Sequence, residues 1–192
     1  MIVELANNLR VDLNSVLCPK ELSKPIPAWK GQYFRDKYNI AYRFKPKRIM
    51  EIGVRAGLSA YAFCLAAKPD YYLGIDAENN SHGGQGGPWN YWAREILKEF
   101  NAEFIIADSV KIKALHFKPF DLIHIDGNHT YHGCTMDLRL ALTSLAAGGV
   151  IAVDDYSTIK KVKKAVRDFA KKHKLKFELV RSCHGEALLF KR

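Results

Sequence analysis

Five aspartates in this 192-residue sequence stand directly after short apolar segments with the pattern of β-strands: Asp76, Asp108, Asp126, Asp154 and Asp155. Carboxylates at such positions can accept hydrogen bonds from hydroxyl groups, such as a ribose diol, and can bind a hard divalent cation. A single aspartate at a strand end is often a helix cap or a turn former. Capping alone does not readily explain five of them, so we expect a binding site.

A glycine pair follows the first of these strands, in the segment Glu51-Ile-Gly-Val-Arg-Ala-Gly-Leu-Ser59. Gly53 and Gly57 permit a sharp turn and a close approach of the backbone to a ligand. A helix beginning near Gly57 would point its free N–H groups and positive dipole end at this turn, which favours a polar or anionic small molecule. The spacing differs from the dinucleotide-binding pattern G-x-G-x-x-G, and a plain strand–turn–helix connection is the alternative.

Strand and helix patterns alternate from residue 45 onward, which predicts a parallel sheet with helices on both faces. The predicted strands are Arg48–Ile52, Tyr71–Ile75, Glu103–Ala107, Phe120–Ile125, Gly149–Val153, Phe177–Arg181 and Ala187–Phe190. The predicted helices are Leu58–Ala67, Trp89–Phe100, Val110–His116, Gly133–Ala146 and Ile159–His173. The last two strands are joined too closely for a parallel crossover and should form an antiparallel hairpin. The prediction is an α/β fold: a three-layer, doubly wound, mainly parallel seven-stranded sheet with a C-terminal antiparallel strand.

The first 44 residues do not follow this alternation, and we predict an N-terminal arm (1–44) before a catalytic domain (45–192). Apolar residues between Ile2 and Leu13 recur at helical spacing, and the prolines near residues 19–27 indicate turns. The arm is rich in aromatic residues, which either pack it onto the core or line a substrate pocket. They include Trp29, Tyr33, Phe34, Tyr38, Tyr42 and Phe44.

The composition, with 48% hydrophobic residues, is that of an ordinary globular domain. No apolar run reaches the ~18–20 residues of a membrane span, and the first ten residues lack the pattern of a signal peptide. The four cysteines are scattered, with no C-x-x-C pair, which argues against a disulfide or zinc framework. We therefore expect a cytoplasmic protein.

The formal net charge of +10 is concentrated between Lys160 and Lys176. Apolar residues recur there at helical spacing, so the lysines should lie on the solvent side of an amphipathic helix. This pattern predicts either a solvated helix face or a surface that contacts phosphates. No zinc-finger, RNP or basic-zipper pattern supports nucleic-acid binding, which rests on charge alone.

Two groups of motifs resemble a known family. The pattern E-x-G-x-x-x-G-x-S over 51–59 resembles motif I of class I S-adenosylmethionine-dependent methyltransferases. The segments Phe120–Tyr131 (F-D-L-I-H-I-D-G-N-H-T-Y) and Leu145–Tyr156 (L-A-A-G-G-V-I-A-V-D-D-Y) resemble the small-molecule O-methyltransferases grouped around macrocin and aminocoumarin sugar methylation, a family-24-like branch. Catechol-type O-methyltransferases are more distant relatives. The resemblance covers residues 47–192 and implies the fold predicted above.

The resemblance implies a donor site for S-adenosylmethionine. The methionine end would be held by Glu51, Gly53, Gly57 and Ser59. Asp76 would bind the ribose, Asp108 and Ser109 would bind the adenine, and Asp126 would border the donor. The metal-dependent relatives also imply a magnesium ion on Asp126, Asp154 and Asp155, which would hold two vicinal hydroxyls of the acceptor and lower the pKa of the attacking one.

The candidate base departs from the family pattern. Asn128 stands where some relatives have a second acid, and an amide cannot take a proton. His129 is the substitute that we predict to act with Asp126 in catalysis, because imidazole is a suitable base near neutral pH. Helix capping or a hydrogen bond to a carboxylate is the structural alternative. His124, inside the fourth strand, is expected to be a core histidine.

The glycine-rich segment Ser81–Pro88 is either a lid over the donor, with Trp89 or Tyr91 near the adenine, or a plain surface loop.

The predicted function is methyl transfer to an oxygen of a small hydroxylated molecule, sugar-like or natural-product-like. A nucleic-acid methyltransferase and a non-catalytic module that binds S-adenosylmethionine are the alternatives. A homo-oligomer would result if the arm packed on a neighbouring copy.

Overall fold

The computed structural model describes residues 28–78, 89–180 and 184–191. The side chains of residues 28–31, 89 and 90 are not part of this description. The predicted helix between Ile2 and Leu13, the proline turns and the glycine-rich segment Ser81–Pro88 lie outside the described residues.

Helices and strands alternate along the described chain. The helices are α1 (Ala28–Phe44), α2 (Leu58–Ala67), α3 (Trp89–Ile96), α4 (Tyr131–Ser144) and α5 (Lys160–Lys172). The strands are β1 (Arg48–Ile52), β2 (Tyr71–Asp76), β3 (Ala102–Ile106), β4 (Phe120–Ile125), β5 (Leu145–Val153), β6 (Lys176–Val180) and β7 (Glu186–Phe190).

The strands form one seven-stranded sheet in the order β3-β2-β1-β4-β5-β7-β6. Strands β1 to β5 pair in parallel, whereas β7 lies antiparallel between β5 and β6. The predicted fold class and the C-terminal hairpin are thereby confirmed. Because the order reverses between β1 and β4, the crevice beyond these two strands is the expected ligand site of an open parallel sheet.

Residues alternate between the two faces along every strand, so apolar side chains project from both faces. Helices cover both of these faces. Met50, Ile52 and Ile123 belong to a core cluster with residues of α4 and α5. Ile49 and Leu122 belong to a second cluster with residues of α1, α2 and α3. The sheet therefore forms the middle of three layers, and α1 is part of the second helical layer.

The largest differences from the predicted elements are at one helix, at the end of α3 and at the start of β5. In place of a helix over Val110–His116, the chain forms a 3₁₀ turn at Ser109–Lys111 and then becomes extended at Ile112 (φ −79°, ψ 111°). Asp108 caps this turn, and the Ser109 hydroxyl is bonded to a side chain of α4. Helix α3 ends at Ile96 rather than Phe100, and β5 begins at Leu145, earlier than expected.

In the part of the chain that is described, no helix is both long and apolar enough to cross a membrane.

Candidate active site

The Gly53 turn meets the backbone of the segment after β4. Gly53 has a φ of +88°, and an alanine Cβ at this position would lie 2.0 Å from the carbonyl oxygen of Asp126. Gly57 has a φ of +82°, and a Cβ there would lie 2.9 Å from the Cα of Ala93 in α3. Both positions therefore require glycine for conformation and for space, as the sequence predicts.

Replacing Gly53 with alanine is expected to destabilise the protein by several kcal/mol, because the added Cβ meets backbone atoms that cannot move aside cheaply. Gly148→Ala is the matched control: its φ is also positive, at +75°, but no heavy atom lies within 4 Å of its Cβ position. The control should cost only about 1–2 kcal/mol. Urea unfolding of both variants tests this difference, and equal losses would contradict the close contact at Gly53.

The carboxylate of Asp76 fixes the loop between the two glycines. Its Oδ2 accepts hydrogen bonds from the backbone N–H groups of Val54 (2.9 Å) and Arg55 (2.7 Å). Its Oδ1 accepts one from the N–H of Glu78 at 2.8 Å. Since each carboxylate oxygen has two lone pairs, Oδ1 is the atom with capacity left for a further donor.

Asp108 and Ser109 follow β3, as expected. Each side chain forms a hydrogen bond with a different residue of the protein. Asp108 Oδ1 accepts a hydrogen bond from the N–H of Val110 at 3.1 Å and caps the 3₁₀ turn. The Ser109 hydroxyl donates to Asp137 Oδ1 at 2.6 Å, and Asp137 is completely buried in α4. Asp137 thus links the loop after β3 to α4 and positions Ser109.

Glu51 is completely buried on the sheet face beneath α1 and α2. It accepts hydrogen bonds from the Ser59 hydroxyl (2.6 Å) and the Tyr72 hydroxyl (2.5 Å). His124 Nδ1 lies 2.8 Å from Glu51 Oε1, and His124 is itself a buried core residue, as expected. Three side chains enclose the Glu51 carboxylate, and its connection to the segment after the glycine turn is the hydrogen bond from Ser59.

Asp126 and Asp154 are brought together by a tyrosine of α1. The Tyr33 hydroxyl lies 2.5 Å from Asp154 Oδ2 and 3.2 Å from Asp126 Oδ2, so one phenol contacts both carboxylates. Burial, followed by the charges of Asp126 and Asp154, raises the pKa of Tyr33 well above its usual value. The phenol therefore stays protonated and remains a hydrogen-bond donor to the pair.

A lysine of α1 neutralises the second of these carboxylates. Lys37 is 1% exposed, and its Nζ lies 3.2 Å from Asp154 Oδ2 and also pairs with Glu186 Oε1. The ammonium stands 4.1 Å from the centroid of the Tyr33 ring, which adds a cation–π contact. Lys37 is thus the cation of a buried acidic cluster formed by His124, Asp154 and Glu186.

The pKa values of the two aspartates move in opposite directions. Burial raises the pKa of Asp126, and the negative charge of Asp154 raises it further against the effect of His129. Burial also acts to raise the pKa of Asp154, but the charges of Lys37 and His124 and the Tyr33 hydrogen bond outweigh it and leave the pKa lowered. Asp154 is consequently the more firmly ionised of the two.

His129 contacts two of the predicted metal ligands. Its Nε2 lies 3.2 Å from Asp126 Oδ1 and 3.5 Å from Asp155 Oδ2. The hydrogen bond with Asp126 raises the pKa of the imidazole, and burial opposes the shift. Helix α4 is capped by Thr130, whose hydroxyl oxygen accepts from the N–H of Gly133, so His129 is not the cap. Asn128 serves the same turn by accepting from the N–H of Thr130 at 2.9 Å.

The predicted metal ligands divide between two overlapping groups in which the ligand atoms lie within 4.8 Å of one another. One group is Asp126, His129 and Asp155, and the other is Asp154, Asp155 and His184. Among the described residues, no such group contains all three aspartates. Two carboxylates and an imidazole are donors that a divalent cation can use, and magnesium, which prefers oxygen ligands, would be held mainly through the carboxylates.

Lys37, His184 and Glu186 are site residues that sequence reasoning missed. Tyr33 was named only as one of six aromatic residues of the arm that pack on the core or line a substrate pocket. Tyr33 and Lys37 are four residues apart, the spacing that places two side chains on one face of a helix. That spacing was the available signal, but it does not say which residues the face meets. Tyr91, predicted to lie near the adenine, is 57% exposed and packs edge-on against Trp92. Trp89 falls among the side chains that are not described.

Comparison with sequence families matches residues 50–156 to a family described as a methyltransferase domain. The match covers more than half of the 192 residues, and the chain therefore belongs to this methyltransferase family. The resemblance drawn from the motifs around Glu51 and Asp126 is thereby confirmed. Comparison with curated proteins gave no match.

Solved methyltransferase structures share the fold. The O-methyltransferase TomG from Streptomyces achromogenes, in complex with SAM, has a TM-score of 0.64 and 18% identity over 99% of this chain and 95% of its own. The SAH-bound methyltransferase PaMTH1 from Podospora anserina has a TM-score of 0.67 and 18% identity over 83% of this chain and 78% of its own. CalS11, a TDP-rhamnose 3′-O-methyltransferase, has a TM-score of 0.65 and 18% identity over 98% of this chain and 91% of its own.

Proposed function

We propose that this methyltransferase transfers the methyl group of S-adenosylmethionine to an oxygen of a small hydroxylated molecule, sugar-like or natural-product-like. The observation that carries the proposal is the contact between the Gly53 turn and the backbone of Asp126, because it joins the proposed donor loop to one of the proposed metal ligands. The SAM complex of TomG and the SAH complex of PaMTH1 support the choice of donor. TomG and CalS11 are O-methyltransferases, which supports oxygen as the acceptor atom.

The donor is proposed to lie along the loop from Gly53 to Ser59. Glu51 would orient Ser59 toward the methionine end, and a ribose hydroxyl would donate to Asp76 Oδ1, the oxygen that accepts one backbone N–H. Asp108 and Ser109 would border the adenine, with Ser109 held by Asp137. The donor would thereby be bound mainly by loops that buried carboxylates already fix in place.

The acceptor is proposed to lie at Asp126, Asp154 and Asp155, with a divalent cation, magnesium in the first instance. Such an ion, when bound, supplies a positive charge that lowers the pKa of the attacking hydroxyl. Lys37 keeps Asp154 ionised, and Tyr33 orients Asp154 and Asp126 toward each other. His129 is the proposed acceptor of the hydroxyl proton: its Nε2 donates to Asp126 Oδ1, which leaves Nδ1 as the nitrogen that can take the proton.

Two alternatives from the sequence, a nucleic-acid methyltransferase and a non-catalytic donor-binding module, share the donor site and differ at the acceptor. Binding of the donor product therefore does not separate them from the proposal, whereas methylation of a catechol or a hydroxylated sugar would. The cytoplasmic location and the homo-oligomer stay predictions.

Calorimetric titration with S-adenosylhomocysteine, with and without Mg²⁺, tests the donor and metal sites together. We expect micromolar affinity, no heat with NAD, and a change in the titration when Mg²⁺ is present. An absence of S-adenosylhomocysteine binding in both buffers would contradict the donor site between Glu51 and Ser59. Binding that Mg²⁺ leaves unchanged, together with no heat from Mg²⁺ alone, would count against the metal.

A further inference from the structure

A surface groove of about 790 Å³ runs along the exposed face of α5 and reaches the start of β6. This volume is within the usual range of small-molecule sites. Five cationic side chains of α5 line the groove: Lys160, Lys163, Lys164, Arg167 and Lys171. None of these residues has a role in the donor or metal sites described above.

The groove keeps most of this positive charge. Asp168 is the acid among the lining residues, so five cations and one anion leave a formal charge of +4. Asp168 is already engaged, because its Oδ2 lies 2.6 Å from Lys164 Nζ and accepts from the Tyr131 hydroxyl at 3.0 Å. The remaining four cations face the same cavity and favour an anion that carries more than one charge.

Two aromatic residues, Tyr156 and Phe177, also line the groove. The rings of Tyr156 and Phe177 lie 5.2 Å apart between centroids, and Phe177 is 40% exposed. Lys163 Nζ stands 5.6 Å from the centroid of the Tyr156 ring. The exposed face of Phe177 can stack on a flat ring while neighbouring lysines bind phosphate oxygens.

Other lysines of α5 show that the groove is more than a solvated helix face. Lys161 and Lys172 are exposed on α5 but do not line the groove, whereas the five cations share one concave surface. The groove also begins beside Asp155, one of the predicted metal ligands, because Tyr156 directly follows Asp155 and the N–H of Ile159 donates to the Asp155 carbonyl oxygen at 2.9 Å.

We propose that this groove binds a small molecule that carries a diphosphate and a flat ring, as a nucleoside diphosphate does. The four unneutralised cations bind the phosphate oxygens, and Phe177 stacks on the ring. The site is separate from the proposed donor and metal residues, so it stands or falls independently of the methyl-transfer proposal.

Titration calorimetry with UDP, pyrophosphate and uridine tests the groove without donor or metal. We expect UDP to bind more tightly than pyrophosphate and uridine to give no heat. The double variant Lys163→Gln, Arg167→Gln should weaken UDP binding by at least about tenfold, since it removes two charge-assisted contacts. The control Lys161→Gln, Lys172→Gln removes the same charge from the same helix and should change the affinity by no more than about twofold.

Three results would overturn the proposal. The first is no UDP binding to the unsubstituted protein, and the second is an equal loss in both double variants, which would reduce the effect to net charge. The third is a single-stranded RNA oligonucleotide that binds much more tightly than UDP does, with an affinity that depends on Lys163 and Arg167. That result would make this face a nucleic-acid surface. Far-UV circular dichroism of both variants establishes that these exposed substitutions leave the fold intact.

Discussion

Substituting Lys37 with methionine is expected to destabilise the protein by about 3–5 kcal/mol, the range for breaking a buried ion pair from one side. Methionine matches the length of the lysine side chain but leaves Asp154 and Glu186 buried without their cation. Glu186 is completely buried, and its Oε2 has no hydrogen-bond partner among the described residues. The desolvation cost of Glu186 is therefore uncompensated in the variant, and Asp154 keeps only its hydrogen bonds from Tyr33 and the Asp155 N–H. Urea unfolding monitored by circular dichroism measures the loss.

Lys47→Met is a suitable control for this experiment. Lys47 pairs with Asp70 at 3.9 Å, and both side chains are about 70% exposed, so the change should cost no more than about 1 kcal/mol. Adding Glu186→Gln to Lys37→Met removes one of the two uncompensated charges and should recover part of the lost stability. A Lys37→Met protein as stable as the Lys47→Met control would show that the ammonium is not the counter-ion of this cluster.

Asp126→Asn is expected to lower the affinity for a divalent metal by at least about 100-fold, since changes outside the ligand shell already cost 10–100-fold in metal sites. The substitution keeps the shape of the side chain and the backbone carbonyl that touches Gly53, so S-adenosylhomocysteine should bind within a few-fold of the unsubstituted protein. Mn²⁺ titration followed by electron paramagnetic resonance measures the first quantity, and calorimetry measures the second. Methyl transfer, assayed on catechols and hydroxylated sugars, should fall with the metal affinity.

Asp70→Asn supplies the control for charge, because Asp70 is exposed and lies outside the site. Unaltered Mn²⁺ binding in Asp126→Asn would remove Asp126 from the metal ligands.

His129→Gln separates the two roles open to that residue. A base should lose turnover by about 10²–10⁴-fold with metal affinity preserved, whereas a ligand should lose both together.

Local sequence patterns predicted the part of the site that the sheet itself positions. Asp76, Asp126 and Asp154 were found because parallel strands end at one edge, and the topology then brings the residues after them together. Gly53 was identified because a sharp turn after a strand, close to another backbone, tolerates no side chain, and its φ and its contact with Asp126 agree. The reversed strand β7 followed from a connection too short for a crossover.

The helix expected over Val110–His116 shows where local patterns were insufficient. Its residues have helical spacing, and Ile112 and Leu115 do pack against the core. However, Asp108 and Ser109 commit their side chains to the first turn and to Asp137, and the chain leaves helical geometry at Ile112. The Ser109–Asp137 hydrogen bond, to a residue 28 positions away, is a tertiary contact that periodicity does not indicate.

Local patterns were enough to predict a methyltransferase with a glycine turn and with carboxylates at the strand ends. No local pattern indicated that α1 packs so that Tyr33 and Lys37 contact these carboxylates. Tyr33 meets Asp154 across 121 positions, and Lys37 meets Glu186 on the last strand. The physical reason is that periodicity specifies which face of a helix is buried, whereas the partner of a buried charge depends on where that helix packs on the sheet.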